Sequence, residues 1–299
     1  MKWQGKRRSS NVEDRRGQSV RGGGGGINPA LLIPLVRFLF SKKGLIVLGV
    51  FIGFSWLTGT NPLDFISQFT GQNPSASETA TQSYESSSKE DELALFSEVI
   101  LASTEDVWSQ IIPNYREPVL VLFSNSIKSA CGLASSATGP FYCPADEKLY
   151  IDLSFFNDLE YKLNAPGDFA QAYVIAHEVG HHIQKIMGIT DQMDQMRNTM
   201  SKKEYNTYSV RLELQADFLA GVWAHYSQRD LDWLDVGDLD EALNAANAIG
   251  DDRLQRNATG HVVPDSFTHG TSAQRMRWFK KGFDSGDLNQ GDTFNANPL

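Results

Sequence analysis

The segment HEVGHH, residues 177–182, places three of the chain's six histidines within six positions. His177 and His181 are four residues apart, so on a helix they lie one turn apart on a shared face. Two imidazoles at this spacing can occupy two corners of a tetrahedral zinc site. Glu178 lies about 100° around such a helix from His177, where its carboxylate reaches a water on the open side of an ion. The segment therefore requires a buried helix and a second element that brings a further ligand to it.

The segment RLELQADFLAGVWAH, residues 211–225, supplies that second element. Glu213 and Asp217 are again one helical turn apart, among apolar residues that can pack on the first helix. We predict that Glu213 is the third ligand and that Asp217 accepts the N–H of a ligand histidine, which fixes its tautomer. The alternative is a solvated acidic face, which the apolar surroundings disfavour. His182 lies off the face of the histidine pair and is interpreted as structural or as a support for the ligands.

HEVGHH followed by ELQAD resembles the gluzincin metallopeptidases, in which an H-E-x-x-H helix is followed by an E-x-x-x-D helix. Four blocks spread over nearly the whole chain resemble the bacterial "putative neutral zinc metallopeptidase" family: MKWQGKRRSSNVEDRRG, GPFYCP, RLELQADFLAGVWAH and VPDSFTHGTSAQRMRWFKKGFDSGD. The resemblance implies an α+β, zincin-like domain, with a small mixed sheet, an active-site helix and a ligand helix. It also implies one Zn²⁺ ion and a peptide or protein substrate.

On this interpretation His177, His181 and Glu213 hold the zinc, and Glu178 is the general base. A further donor should stabilise the oxyanion that forms on the substrate. His269 is our candidate, because gluzincins use a histidine downstream of the ligand helix; the alternative is a histidine that ties the C-terminal segment to the core. Weaker candidates for this donor are His225, His261, Tyr142 and Tyr150.

Hydrophobic spacing and capping signals predict the order of elements. Two strands are expected, at 118–124 and 148–155, and in zincins the strand before the active-site helix is an edge strand that pairs with the substrate. Helices are expected from 91 to 112, from a cap at Asp168 to about 188, and from about 202 to 227 after a capping box at Ser201 and Glu204. Two more are expected, from a capping box at Asp238 and Glu241 to Gly250, and after a box at Thr271 and Gln274. The order of one helix, a few strands and then helices is typical of an α+β domain.

Residues 44–63 contain no charged side chain, and the chain before them carries a formal charge of +8 against −17 for the remainder. The uncharged run is close to the length that spans a bilayer, and the positive flank stays in the cytoplasm. We therefore predict a single transmembrane helix, with membrane contact through residues 44–60, a cytoplasmic N-terminus and a periplasmic or extracellular catalytic domain. A cleaved signal peptide is the alternative.

The predicted organisation is a disordered basic tail (1–29), a transmembrane anchor region (30–63), a flexible linker (64–90) and the zinc metallopeptidase domain (91–299). Cys131 and Cys143 are expected to form a disulfide in an oxidising compartment, the alternative being two buried thiols. An acidic domain behind a basic head argues against nucleic acid as a partner.

These observations favour a membrane-anchored zinc peptidase at the cell envelope. The alternative is a zinc-containing binding or scaffold domain that does not cleave. A structural zinc site normally fills all four ligand positions and needs no base. Three ligands accompanied by Glu178 therefore favour the enzyme.

Overall fold

The computed structural model describes residues 1–18 and 86–299 of the 299-residue chain. They form an α+β arrangement of helices packed on a small mixed sheet, as the sequence predicts. Within these two ranges no helix is both long enough and apolar enough to cross a bilayer. Residues 44–60, the whole of 30–63 and most of the predicted linker lie outside the described ranges.

The main sheet has four strands in the order β1-β2-β6-β5. The strands are β1 (Val12–Asp14), β2 (Val119–Phe123), β5 (Phe141–Cys143) and β6 (Lys148–Asp152). β1, β2 and β6 are parallel, whereas β5 runs antiparallel to β6. Side chains alternate along each strand, so one face of the sheet contacts the helices and the other forms a small second core.

A hairpin of β3 (Ser126–Ser129) and β4 (Gly132–Ser135) covers that second core. Cys131, in the turn of the hairpin, is joined to Cys143 at the end of β5, with Cα atoms 5.8 Å apart. The predicted disulfide is confirmed. It links the hairpin to the edge of the main sheet.

The described residues contain eight α-helices. They are α1 (Ser88–Ile111), α2 (Ser154–Asn157), α3 (Asp168–Ile186), α4 (Ile189–Arg197), α5 (Lys202–Leu231), α6 (Asp238–Ala248), α7 (Asp251–Thr259) and α8 (Ser272–Ser285). The predicted capping boxes at the starts of α5 and α8 are confirmed. The hydroxyls of Ser201 and Thr271 each accept the backbone N–H of the residue three positions later, and the side chain of that residue accepts the backbone N–H of the cap.

Two predicted helix starts are wrong in detail. Asp168 does not cap α3, since the N-cap is Gly167 with a φ of 115°, and the carboxylate of Glu241 accepts the N–H of Phe169 instead. Glu241 therefore does not complete a capping box at the start of its own helix α6, whose N-cap is Gly237. The physical reason is tertiary: α6 packs beside the start of α3, and a carboxylate there serves the neighbouring helix.

The first 18 residues differ most from the prediction of a disordered tail. β1 pairs with β2, and Trp3 is buried with its ring edge-on to Phe96. Arg7, together with the side chains of Ser9 and Asn11, binds Glu105, a carboxylate only 2% exposed. Specific ion pairs and one aromatic anchor hold this segment, which a polar composition does not reveal.

The predicted edge strand is also wrong. β6 lies between β2, which pairs with all five of its residues, and β5, which pairs with Lys148, Leu149 and Tyr150. The edge on this side of the sheet belongs to β5, three residues that contain a cysteine and lack a long apolar run. The sequence therefore gave no strand signal for it.

Candidate metal centre

The two central helices approach each other closely at one glycine. A Cβ atom built on Gly180 of α3 would lie 2.9 Å from the backbone oxygen of Ala216 in α5. A glycine without a side chain is what permits this approach. It brings the histidine face of α3 opposite the carboxylate face of α5, so two residue patterns 36 positions apart meet in space.

Three side chains meet between the helices. Nε2 of His177 lies 3.2 Å from one carboxylate oxygen of Glu213, and Nε2 of His181 lies 3.5 Å from the other. Ligand atoms at the corners of a zinc tetrahedron, with bonds of about 2.1 Å, are separated by about 3.4 Å. The donor set of two imidazoles and one carboxylate therefore fits zinc in both chemistry and spacing.

The number of side chains in this cluster indicates the kind of zinc site that it could form. Among residues 1–18 and 86–299, the group of potential ligands at this position has three members, His177, His181 and Glu213. Three protein ligands are typical of catalytic zinc, whereas structural zinc usually has four.

Asp217 lies behind His177 and is fully buried. Its carboxylate is 2.9 Å from Nδ1 of His177, so that Nδ1–H donates and Nε2 is left unprotonated for a metal. Tyr173 donates its hydroxyl to the same carboxylate at 2.5 Å. Arg275 of α8 binds both carboxylate oxygens, at 2.8 and 2.9 Å, and is only 2% exposed.

Sequence reasoning did not identify Arg275 or Tyr173. Arg275 lies 58 residues after Asp217 in a segment with three other basic residues nearby, so no local pattern pairs them. The signal that could have pointed to it is the predicted burial of Asp217, because a buried carboxylate requires a compensating cation. Tyr173 is one turn before His177 on the same helix, a position that an i, i+4 analysis could have flagged.

An uncharged side chain, that of Gln184, orients His181. Its Nδ1 lies 2.9 Å from the side-chain oxygen of Gln184, whose amide nitrogen donates to the backbone oxygen of Leu212 and to Gln215. Gln215 in turn donates to the backbone oxygen of Gly291. Each ligand histidine is thus oriented through Nδ1, one by a charged group and one by an amide.

The ionisation of the cluster follows from its charges. Burial disfavours the charged form of His177, but Asp217 and Glu213 outweigh it and raise its pKa to about 9. Burial likewise acts to raise the pKa of Glu213, yet the imidazoles of His181 and His177 hold it well below its ordinary value. The cluster is a carboxylate-rich site that attracts positive charge.

A cleft of about 470 Å³ opens beside the three ligands. Glu178 lines it together with the three ligands and is 8% exposed. Side chains of β5, of the segment before it and of α7 form the other walls, including Phe141, Tyr142 and Leu254.

His269 lines the same cleft, and about half of its side chain is exposed. Its Nδ1 lies 3.0 Å from the hydroxyl of Thr268 and 3.3 Å from the carboxylate of Asp251. Asp251 also accepts the backbone N–H groups of Thr268, His269 and Gly270. The Asp251 hydrogen bond raises the pKa of His269 above its ordinary value, although burial opposes this. Asp251, which the sequence reasoning missed, thus orients this histidine and favours its protonated form.

The weaker candidates for an oxyanion donor are occupied elsewhere. Nδ1 of His225 lies 2.7 Å from the backbone oxygen of Phe283, which ties α5 to α8, and His261 is exposed beyond the end of α7. The hydroxyl of Tyr150 donates to Asp146 on the other face of the sheet. Tyr142 lines the cleft, but its hydroxyl contacts His182.

Comparisons with known proteins agree with this geometry. A sequence profile described as "Putative neutral zinc metallopeptidase" matches residues 1–294. The uncharacterized protein YpfJ of Escherichia coli K12 is 51% identical over 298 residues, which cover 98% of this chain and 99% of that protein. The uncharacterized protein Rv2575 of Mycobacterium tuberculosis H37Rv is 42% identical over 207 residues, covering 66% of this chain and 69% of that protein. No solved structure matches the chain significantly.

Proposed function

The chain belongs to the family described as "Putative neutral zinc metallopeptidase", and from that premise we propose that it is a zinc-dependent peptidase that hydrolyses peptide bonds with Glu178 as general base. The observation that carries the proposal is the combination of three ligand atoms at zinc spacing with a buried glutamate that lines the same cleft. A binding domain in which zinc has only a structural role does not need that glutamate.

His177, His181 and Glu213 would hold one Zn²⁺ ion, which supplies a Lewis acid and lowers the pKa of a water. The carboxylate of Glu178 takes a proton from the attacking water and delivers it to the leaving amine. Asp217 and Gln184 keep both imidazoles in the tautomer that leaves Nε2 available.

His269 is the proposed donor to the substrate oxyanion. Because Nδ1 is directed to Asp251, a second proton on Nε2 makes the ring a cation, and the raised pKa favours that form. A cationic donor stabilises developing negative charge better than a neutral one.

The peptide substrate is proposed to lie along β5. This strand is the sheet edge beside the cleft, and Phe141 and Tyr142 contribute to the cleft wall. An extended peptide can add to such an edge through backbone hydrogen bonds.

Membrane attachment through residues 44–60 is a further proposal, and the pairing of β1 with β2 bears on its topology. One crossing between residue 18 and residue 86 would put β1 and β2 on opposite sides of the bilayer, yet these strands are paired. The arrangement with a cytoplasmic N-terminus and an external domain stays a prediction; on the strength of this pairing we propose instead that residues 1–18 lie on the same side as the domain. The disulfide supports an oxidising compartment for both.

The central experiment compares the full-length wild type with Glu178→Gln and with a control, Glu92→Gln, on the exposed surface of α1. We expect about one zinc per chain in all three and cleavage of a fluorogenic peptide library by the wild type and the control. Glu178→Gln should be slower by about 10²–10⁴-fold, the contribution typical of general acid–base catalysis. Zinc in all three without cleavage in any would favour the zinc-containing scaffold.

A further inference from the structure

His182, the third histidine of HEVGHH, points away from the metal cluster and is fully buried. Its Nε2 lies 2.6 Å from the backbone oxygen of Arg116, and its Nδ1 lies 3.0 Å from the hydroxyl of Tyr142. The rings of Tyr115 and Tyr142 stand edge-on to it, with centroids 5.9 and 5.4 Å away. The residue therefore connects the active-site helix to β5.

The partners of His182 determine where its proton lies. A backbone carbonyl can only accept a hydrogen bond, so Nε2 carries the proton and donates to Arg116. In a neutral ring Nδ1 is then an acceptor, and Tyr142 must donate its hydroxyl proton to it. Tyr142 consequently has no proton left to offer an oxyanion in the cleft, although its ring is part of the wall.

Contacts on both faces fix the position of β5. On the helix face the Tyr142–His182 hydrogen bond joins the strand to α3. On the opposite face Phe141 stacks on Tyr150 with centroids 4.9 Å apart, and Cys143 is joined to the hairpin by the disulfide. An edge strand of three residues has few ladder hydrogen bonds of its own, so its position depends on these side chains.

We propose that His182 and Tyr142 are positioning residues that hold the edge strand β5 at a fixed distance from the metal helix, and thereby align the backbone of an extended peptide substrate with Glu178. This inference rests on the proposed peptidase function. His182 and the ligand His181 are neighbours in sequence but serve different parts of the site: one holds the strand and the other faces the ion.

The matched variants are Tyr142→Phe and Tyr150→Phe. Each variant removes one tyrosine hydroxyl, from β5 in the first case and from the adjacent β6 in the second. Only Tyr142→Phe breaks the hydrogen bond to α3, because Tyr150 donates to Asp146 on the other face of the sheet. In the full-length protein we expect Tyr142→Phe to keep its zinc and to lose about tenfold in kcat/KM, mainly through KM, the size of effect that one hydrogen bond supports. Tyr150→Phe should keep the wild-type KM.

A binding measurement separates this inference from the proposed function. Fluorescence anisotropy of a labelled peptide on Glu178→Gln, alone and combined with Tyr142→Phe, reports substrate binding without turnover. About tenfold weaker binding in the double variant, with equal zinc, supports the inference. Equal binding, equal KM in the two tyrosine variants, or loss of zinc in Tyr142→Phe overturns it. If the wild type does not cleave any peptide, the proposed function fails, and the binding comparison still decides whether β5 receives peptide.

Discussion

At the scale of single residues, Asp217 shows how the cluster of potential metal ligands depends on a charge outside it. The carboxylate is fully buried and serves His177, Tyr173 and Arg275 together. Burial alone would raise its pKa, but Arg275 first and His177 second hold it below the ordinary value. The arginine therefore keeps an anion where the ligand histidine needs one.

Replacing Arg275 with methionine should remove the cation that compensates the buried Asp217 carboxylate. Removing one partner of a buried ion pair leaves an uncompensated charge, which costs about 3–5 kcal/mol of stability. The tautomer of His177 is then less well fixed, and a loss of about 10–100-fold in zinc affinity is expected. Denaturant unfolding and competition with a zinc chelator measure the two effects. Lys280→Met, an exposed change on the same helix, is the control; an equal effect of both variants would show that Arg275 has no special role.

The pH dependence of catalysis should report His269. Asp251 raises its pKa, so the cationic form is complete at low pH and is lost as the pH rises through a value above 6.5. The alkaline limb of the kcat/KM profile should therefore lie above pH 6.5. Asp251→Asn removes the charge that raises the pKa and should move this limb to lower pH. An unchanged alkaline limb in Asp251→Asn would exclude His269 as the titrating donor.

At the scale of elements, the sequence predicted the helices that carry the cluster and failed on two of the elements that surround it, β5 and α7. The i, i+4 spacing of the histidines and of Glu213 with Asp217 is local information, and it predicted two facing helices. β5 was not predicted because three residues carry no periodicity, and α7 was missed because its composition is polar. Arg275 and Asp251 were missed because their partners are distant in sequence and only packing reveals them.

The close approach of α3 and α5 gives the prediction at this scale. Gly180→Ala would place a Cβ atom 2.9 Å from the Ala216 backbone oxygen, so the helices must separate. Overpacking of this kind costs about 1–3 kcal/mol, and it should also weaken zinc binding because it moves Glu213 away from the histidines. Gly188→Ala, just after the same helix, has open space and only pays about 1–2 kcal/mol for a left-handed backbone. Zinc affinity in Gly188→Ala should match the wild type, and a matching loss in both variants would contradict the argument.

At the scale of the whole molecule, residues 1–18 are part of the fold of the unit that contains His177, His181 and Glu213. Trp3 contacts Phe96, and the carboxylate of Glu105 has three partners in this segment. A fragment of residues 86–299 should therefore be less stable than the full chain by at least about 3 kcal/mol. A synthetic peptide of residues 1–18 should raise the melting temperature of the fragment, whereas the same peptide with Trp3→Ala and Arg7→Ala should not. A fragment as stable as the full chain would show that the segment is dispensable.

The pairing of β1 with β2 also predicts the membrane topology. Ser10→Cys and Asn198→Cys each put one thiol on the exposed surface, one in the N-terminal segment and one after α4. Cys131 and Cys143 do not react because they are joined in the disulfide. In sealed membrane vesicles of defined orientation, a bilayer-impermeant maleimide should label both positions in the same orientation and neither in the opposite one. Both positions should react after detergent, which controls for accessibility. Labelling of Ser10→Cys and Asn198→Cys from opposite sides would require β1 to leave the sheet, because a strand cannot pair with a partner across a bilayer.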